Sequence, residues 1–486
     1  MNYLRKYNSN IGDVHYKNMK NSISTFICLA FCSLILMQSA PVYSQDIANP
    51  IFKDGDRVCF VGNSITNNAQ FYHFVNLYYA TRYPNTKVVF FNCGISGDAT
   101  RGVINRIQRD ILIHNPSWSV LMIGMNDVNR GLYEKSRQKE EGIELKKEEA
   151  LNVYRNNLEI IVRELTKEGR KLILETPSIY DQTSYLPTEN LFGVNDALKK
   201  CADFIQVTAA KYNLPVVDYW SILSQINQTI HERDTAATII GNDRVHPGTP
   251  GHFIMAYEFL KSTGGSEYVS KMVINKNAAE SRQKSINCSI KNILYRKQCI
   301  RFDVKEESLP FPVSNEAKPA LAMIPFTDHF NKELLQVADI PDGIYQLFID
   351  NVQIGTFSSE KLAAGINLAL LENTPQYQQA IRIMHLFDEY RKVQAQRRNI
   401  ANVEIYHLPD SMKNTSINKR EEYLKGYLEK RYKGTNAYEY HEGVFKFYIS
   451  SKRMQAEIEK KLPELIETVY KSNVPTYHAF RLNKIQ

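Results

Sequence analysis

Cysteine is scarce in this chain. There are seven in 486 residues, with no Cys-x-x-Cys pair and no histidine-rich spacing, so no metal site is spelled out and no metal ligand set is expected. Two of the seven, Cys28 and Cys32, sit in the apolar run at 26–37, and neither follows the small residue that a bacterial lipoprotein signal requires. No apolar run is long enough to span a bilayer comfortably. No fixed-period repeat is present, which removes solenoids and propellers. No compact stripe of arginine and lysine interleaved with aromatics occurs in the first half, so nucleic acid is not an expected partner. A hydrophobic fraction of 43% and a charged fraction of 23% belong to an ordinary globular protein and exclude wholesale disorder or a multispanning membrane protein.

What is there begins with Lys17 and Lys20, ahead of the apolar run, followed by Val42-Tyr43-Ser44 and Gln45-Asp46. A positive flank, an apolar stretch and a small residue read as a secretory signal over residues 1–44, with a retained N-terminal anchor as the alternative. A secreted or periplasmic protein, with no stable membrane insertion once the signal is removed, is therefore expected. Formal net charge is +8, part of it carried by Arg5, Lys6, Lys17 and Lys20 of that signal; the remainder is mildly basic, with the excess after residue 390. Cys59, Cys93, Cys201, Cys288 and Cys299 remain, an odd set that leaves at least one thiol free in an oxidising compartment. Cys59 and Cys93 lie in strand-like runs and read as small buried hydrophobes. Cys288 and Cys299 are candidates for a pair across a hairpin.

At this length roughly two to three domains are expected. From residue 56 to about 260, short apolar runs at 58–61, 88–91, 119–123, 172–174 and 215–217 alternate with helical periods. One such period holds Val153, Asn157, Leu158, Ile161, Val162 and Leu165. Strands alternating with helices imply βαβ units and a mainly parallel sheet covered on both faces, with chemistry at the carboxyl ends of the strands. The charged insert 133–149 reads as a solvated loop or the exposed start of a helix. Beyond about 270 the texture changes. Residues 271–358 hold β-like runs, including 299–304 and 343–349, divided by Pro and Asp-Gly turn signals. From 359 to 486 the chain reads as helical.

The first run ends in Val61-Gly62-Asn63-Ser64-Ile65-Thr66, placing a serine between a parallel strand and a helix start, where a hydroxyl meets substrate and free N–H groups. A serine there is equally a favoured helix cap. The second run leads into Asn92-Cys93-Gly94-Ile95-Ser96-Gly97-Asp98, whose glycines permit close approach and free N–H groups. The third leads into Gly124-Met125-Asn126-Asp127, an amide donor at a strand end that is also ordinary turn chemistry. Far downstream, Asp243-Arg244-Val245-His246-Pro247 sets an acid three residues before a histidine, close enough in a turn to fix its tautomer and support its positive charge.

Together and in this order, these four blocks resemble the SGNH (GDSL-type) hydrolase family across residues 56–261. The resemblance implies a three-layer α/β/α, flavodoxin-like fold over 45–270, followed by the β-rich module and the helical region. It implies Ser64 as nucleophile, His246 as general base and then acid, and Asp243 as its orienter. The oxyanion donors it implies are the Ser64 and Gly97 N–H groups and the Asn126 side-chain amide. Asn63 stands where the family usually has aspartate, a nearly isosteric change that removes a charge. There is no G-x-S-x-G elbow, so the other large α/β esterase architecture is not supported. The chemistry needs no cofactor. The function expected is a secreted serine ester hydrolase removing acyl groups from an acylated carbohydrate; alternatives are a lipid or thioester hydrolase of the same fold and an inactive glycan-binding protein.

Overall fold

The computed structural model describes residues 50–279 and 284–486. The expected export signal, 1–44, lies outside the described residues. These described residues pack as one compact unit.

Its first layer is a parallel sheet of β1 (Arg57–Gly62), β2 (Val89–Gly94), β3 (Trp118–Met122), β4 (Lys171–Glu175) and β5 (Val216–Val217), in the order 2-1-3-4-5. This is the doubly wound, flavodoxin-like order. Each apolar run forms one strand, because a strand covered on both faces needs hydrophobic residues at every position. Alternate side chains serve opposite cores: Val58 and Phe60 face one, Cys59 and Val61 the other.

Between the strands lie α1 (Ser64–Asn68), α2 (Gln70–Arg82), α3 (Thr100–Arg106), α4 (Ile143–Thr166), α5 (Val194–Tyr212), α6 (Tyr219–His231) and α7 (Thr249–Thr263). Helices α4 and α5 cover one face of the sheet, α2 and α7 the other. The expected period in α4 buries Leu158, Ile161, Val162 and Leu165, whereas Val153 is exposed; the apolar stripe runs through Leu151 and Tyr154 instead. The charged insert holds one short 3-10 turn, Lys135–Arg137, and from Ile143 onward it is the start of α4.

Helix α2 is buried from Phe71 to Arg82. A helix buried all round needs cover on its outer side too, and that outer cover is α8 (Pro375–Tyr406), the longest helix described. Helices α9 (Ile417–Tyr432), α10 (Tyr438–Arg453) and α11 (Gln455–Ser472) pack beside α8, and one hydrophobic core runs continuously from Phe52 to Val469. The helical region thus completes the hydrolase layer.

The β-rich part contains β6 (Tyr268–Ile274), β7 (Cys288–Arg296), β8 (Cys299–Glu306), β9 (Lys332–Val337), β10 (Ile344–Ile349), β11 (Val352–Ser358) and β12 (Ile366–Asn367). Strands β12, β9 and β6 form one sheet, with β6 and β9 parallel. A second, antiparallel sheet has the order β11-β10-β13-β8-β7, and its central strand β13 (Tyr477–Lys484) comes from the very region expected to be all helical. His478, Phe480 and Leu482 point into its core. The partners of β13 lie more than a hundred residues upstream, so no local pattern announces the pairing. Cys288 and Cys299 do not pair. The β7–β8 register sets Cys288 against Glu306 and Cys299 against Arg296, at opposite ends of the hairpin, and both thiols are free.

Candidate active site

Strand register brings the motif blocks to one edge. Gly62 of β1 is level with Gly94 of β2 and Met122 of β3, so the loops that follow these residues emerge together at the carboxyl end of the sheet. Asn63 caps α1, accepting the Ile65 N–H on its side-chain oxygen at 3.1 Å, and leaves Ser64 as the first helical residue. The capping role belongs to Asn63, which frees the Ser64 hydroxyl. That hydroxyl donates to His246 Nε2 at 2.7 Å. His246 Nδ1–H donates to Asp243 Oδ2 at 2.5 Å, while Asp243 Oδ1 accepts the N–H groups of Val245 and His246 at 3.0 Å each. Partial burial opposes the Asp243 charge, but the hydrogen bonds from the imidazole and the two N–H groups outweigh it and hold the carboxyl well below the usual carboxylate range. The imidazole and carboxylate side chains are 46% and 51% exposed. This edge of the site is therefore open to solvent.

Two glycines shape the second block. At Gly94 an added Cβ would sit 2.2 Å from the Asn67 N atom, so only glycine lets β2 pass so close to α1. Gly97 has φ +81°, the left-handed region. Its N–H, among the described residues, has no intrachain acceptor. Asn126 Nδ2 donates to the Asp98 carbonyl at 2.8 Å, one residue after Gly97, which ties the second and third blocks together and leaves its other N–H free. Arg130 reaches Asn126 Oδ1 at 3.5 Å and fixes which end of the amide faces the loop. Asp127 accepts the Thr100 N–H and hydroxyl at 2.8 and 2.6 Å; burial pushes its carboxyl up to about 6.

Several supporting residues have no signature in the sequence. Arg244, between Asp243 and His246, adopts φ +64°, a costly conformation for a side-chain-bearing residue. Its buried guanidinium donates to the carbonyls of Asp181, Ser184, Leu186 and Thr188 at 2.9–3.1 Å, anchoring the acid–histidine turn to the loop after β4. Behind Gly97, the buried Asp98 accepts from Arg106 Nε at 2.8 Å and from the Tyr406 hydroxyl at 2.9 Å. Arg106 also donates to Asp110 at 2.5 Å, and Asp110 is gripped by both terminal nitrogens of Arg398 at 2.7 and 2.9 Å. Burial opposes the Asp110 charge, yet the two guanidinium groups prevail and hold its carboxyl at about 2. Tyr406 and Arg398 come from α8, some 300 residues away in sequence. Among the described residues no three His, Cys, Asp or Glu side chains converge as metal ligands.

A 2-1-3-4-5 parallel sheet with a Ser–His–Asp relay at its carboxyl edge, where the loops carrying Gly97 and Asn126 also emerge, defines the α/β/α class of serine ester hydrolases. The chain belongs to the GDSL-like lipase/acylhydrolase family, whose model matches residues 60–254. It is 30% identical to a gut microbial diltiazem-metabolizing enzyme, whose structure it matches over 90% of this chain and 100% of that one with a TM-score of 0.80. That likeness extends well beyond the family segment, into the C-terminal sheets and helices. The chain is also 26% identical over 226 residues to an acetylxylan esterase of Geobacillus stearothermophilus, spanning 43% of this chain and 94% of the relative. The crystal structure of an acetylxylan esterase from that organism, at 24% identity, covers 44% of this chain and 96% of its own with a TM-score of 0.36.

Proposed function

We propose that this serine ester hydrolase is an exported carbohydrate O-acetylesterase in which Ser64 carries the acyl group. The observation that carries the mechanism is the continuous relay from the Ser64 hydroxyl through His246 to Asp243, at 2.7 and 2.5 Å. Serine is a poor nucleophile until a base removes its proton. As Ser64 Oγ attacks the ester carbonyl, His246 Nε2 takes that proton, and Asp243 supports the resulting imidazolium. The carbonyl oxygen, now negative, is met by the N–H groups of Ser64 and Gly97 and the amide of Asn126; removing one such donor commonly costs about 3–4 kcal/mol of transition-state stabilisation. His246 then returns the proton to the departing alcohol, and a water activated by the same imidazole releases the acid and frees Ser64.

Two features support a sugar ester. The relative matched over 94% of its length is an acetylxylan esterase, and the half-exposed His246–Asp243 edge admits a bulky alcohol. Export is supported by the charged flank and apolar run of the N-terminal segment. A second reading, turnover of small drug-like molecules, is favoured by the diltiazem-metabolizing relative that matches 90% of this chain. The test is acetate release from acetylated xylan and xylo-oligosaccharides, with diltiazem consumption followed in parallel. Ser64→Ala is expected to fold normally and lose ester cleavage by roughly 10⁴-fold or more, and a serine-directed phosphonate should map by mass to Ser64. Full activity in folded Ser64→Ala protein would sink the mechanism.

A further inference from the structure

A cavity of about 210 Å³ opens between the loop 95–98 and helices α8 and α10. Gly97 forms part of its lining, and a Cβ built on Gly97 would meet nothing within 4 Å, so the oxyanion loop faces open space here. The opposite wall is aromatic and polar, with Tyr406 and His407 from the end of α8 and Tyr440 and His441 from α10. The two imidazoles are held by rings: Tyr432 stacks on His441 at 3.8 Å, and Phe445 meets His407 edge-on at 5.1 Å. Neither Nδ1 has a hydrogen-bond partner, although both are enclosed. Phenylalanine would satisfy the same packing without burying an unpaired nitrogen. The enclosed Nδ1 atoms lie out of a ligand's reach, so what the two rings can present to the cavity they line is ring carbon and the Nε2 edge. Burial, with His441 and Arg431 nearby, pushes His407 down to about 4, and burial also lowers His441, so both rings are neutral near pH 7, and with Nδ1 enclosed each can offer its Nε2 as a donor or an acceptor.

The lining decides between occupants. An acetyl methyl would leave most of the space empty. A long acyl chain would lay hydrocarbon against imidazole edges, Asn402 and Ser96, leaving them unpaired. An anion would meet neutral rings and no cation, since neither lysine nor arginine is among the lining residues. An uncharged hydroxylated ring fits all three features, since its hydroxyls give and accept hydrogen bonds and its C–H face stacks on the exposed ring of Tyr440. The space is below the roughly 300–1,000 Å³ of pockets for drug-sized ligands, which suits one such ring.

We propose that this cavity is a subsite for an uncharged sugar ring of the alcohol part of the substrate, bound by Tyr440, His407 and His441 against the oxyanion loop. The inference rests on the carbohydrate-ester reading above. It makes the C-terminal helices determinants of specificity. Tyr440→Ala removes the stacking face at an exposed position, and His441→Phe keeps the ring while deleting its polar edge. Each variant is compared with the wild type on an acetylated xylo-oligosaccharide, 4-nitrophenyl acetate and 4-nitrophenyl octanoate, with thermal unfolding as a check on folding. The ratio of kcat/KM on the sugar ester to that on 4-nitrophenyl acetate is expected to fall about 3- to 10-fold in each variant, through KM on the sugar ester. An unchanged ratio in both variants overturns the proposal. So does an equal loss on all substrates with a lowered Tm, which marks a packing role, or a loss confined to the octanoate, which marks an acyl pocket. A wild type that cleaves 4-nitrophenyl acetate but no sugar acetate defeats the carbohydrate reading itself, a result distinct from an active wild type with insensitive variants.

Discussion

Glu175 ends β4 fully buried, with the Tyr219 hydroxyl donating to it at 2.7 Å. Burial pushes its carboxyl up to about 8, against the small opposing effect of that one hydrogen bond. In the unfolded chain the same group titrates near about 4.3. Between these values the folded protein holds a proton that the unfolded chain has released. Stability from this residue is therefore complete below the unfolded value and is lost as pH rises through the folded one, at up to about 1.4 kcal/mol per pH unit. Glu175→Gln should flatten the decline in unfolding free energy between about pH 5 and 8, measured by urea titration at several pH values. A decline as steep as that of the wild type would show that another group is responsible. Arg244 is a different kind of buried polar residue: its charge is met by four carbonyls, and its strained backbone is held in place by them.

Helix α8 shows how one element protects and positions another. Strand β2 is an edge strand of the parallel sheet, and an edge exposes unpaired carbonyls. Tyr390, Gln394 and Arg398, four residues apart and so on one face of α8, donate to those carbonyls. Tyr390 and Gln394 reach Phe90 at 3.1 and 2.5 Å, and Arg398 Nε reaches Gly94 at 2.7 Å. Arg398 also completes the charge balance of Asp110, both groups being almost wholly enclosed. Arg398→Ala should cost about 3–5 kcal/mol, because it strands a buried carboxylate with one partner fewer. Arg398→Lys should recover little of this, since a single ammonium cannot reproduce the bidentate grip. Chemical unfolding measures both; a loss below about 1 kcal/mol would place the pair among interactions of little net worth.

At the scale of the whole molecule, the family segment at 60–254 shares one hydrophobic core with the C-terminal helices. Its helix α2 is enclosed by α8, Asp388 of α8 meets His73 at 3.2 Å, and the Asn473 amide at the end of α11 donates to the Ala80 carbonyl at 2.7 Å. The last strand, β13, locks the C-terminus into the centre of the antiparallel sheet. A chain ending after β6 would expose the outer face of α2 and the open edge of β2. It is expected to be insoluble or to lack cooperative thermal unfolding, as read by soluble yield and calorimetry. A soluble, cooperatively folded and active truncation would show that the C-terminal half is accessory.

The amino-acid sequence by itself determined the parallel sheet and the blocks around Ser64, Gly97, Asn126 and Asp243–His246. Strands buried on both faces need uninterrupted apolar runs, and loops at strand ends carry their turn and donor residues in contiguous stretches; both are local signals. The relay from Ser64 to His246 was legible as a set of residue types, but its distances, and the use of Asn63 as the helix cap, are geometric. Tertiary structure alone decided the central place of β13, the separation of Cys288 from Cys299, the Arg398 and Tyr406 ties to Gly94 and Asp98, and the imidazole-lined cavity beside the loop 95–98. Each of these depends on partners more than a hundred residues apart in sequence or on the register of a hairpin. Side-chain periodicity shows which face of an element is buried, and only the assembled chain shows what lies against that face.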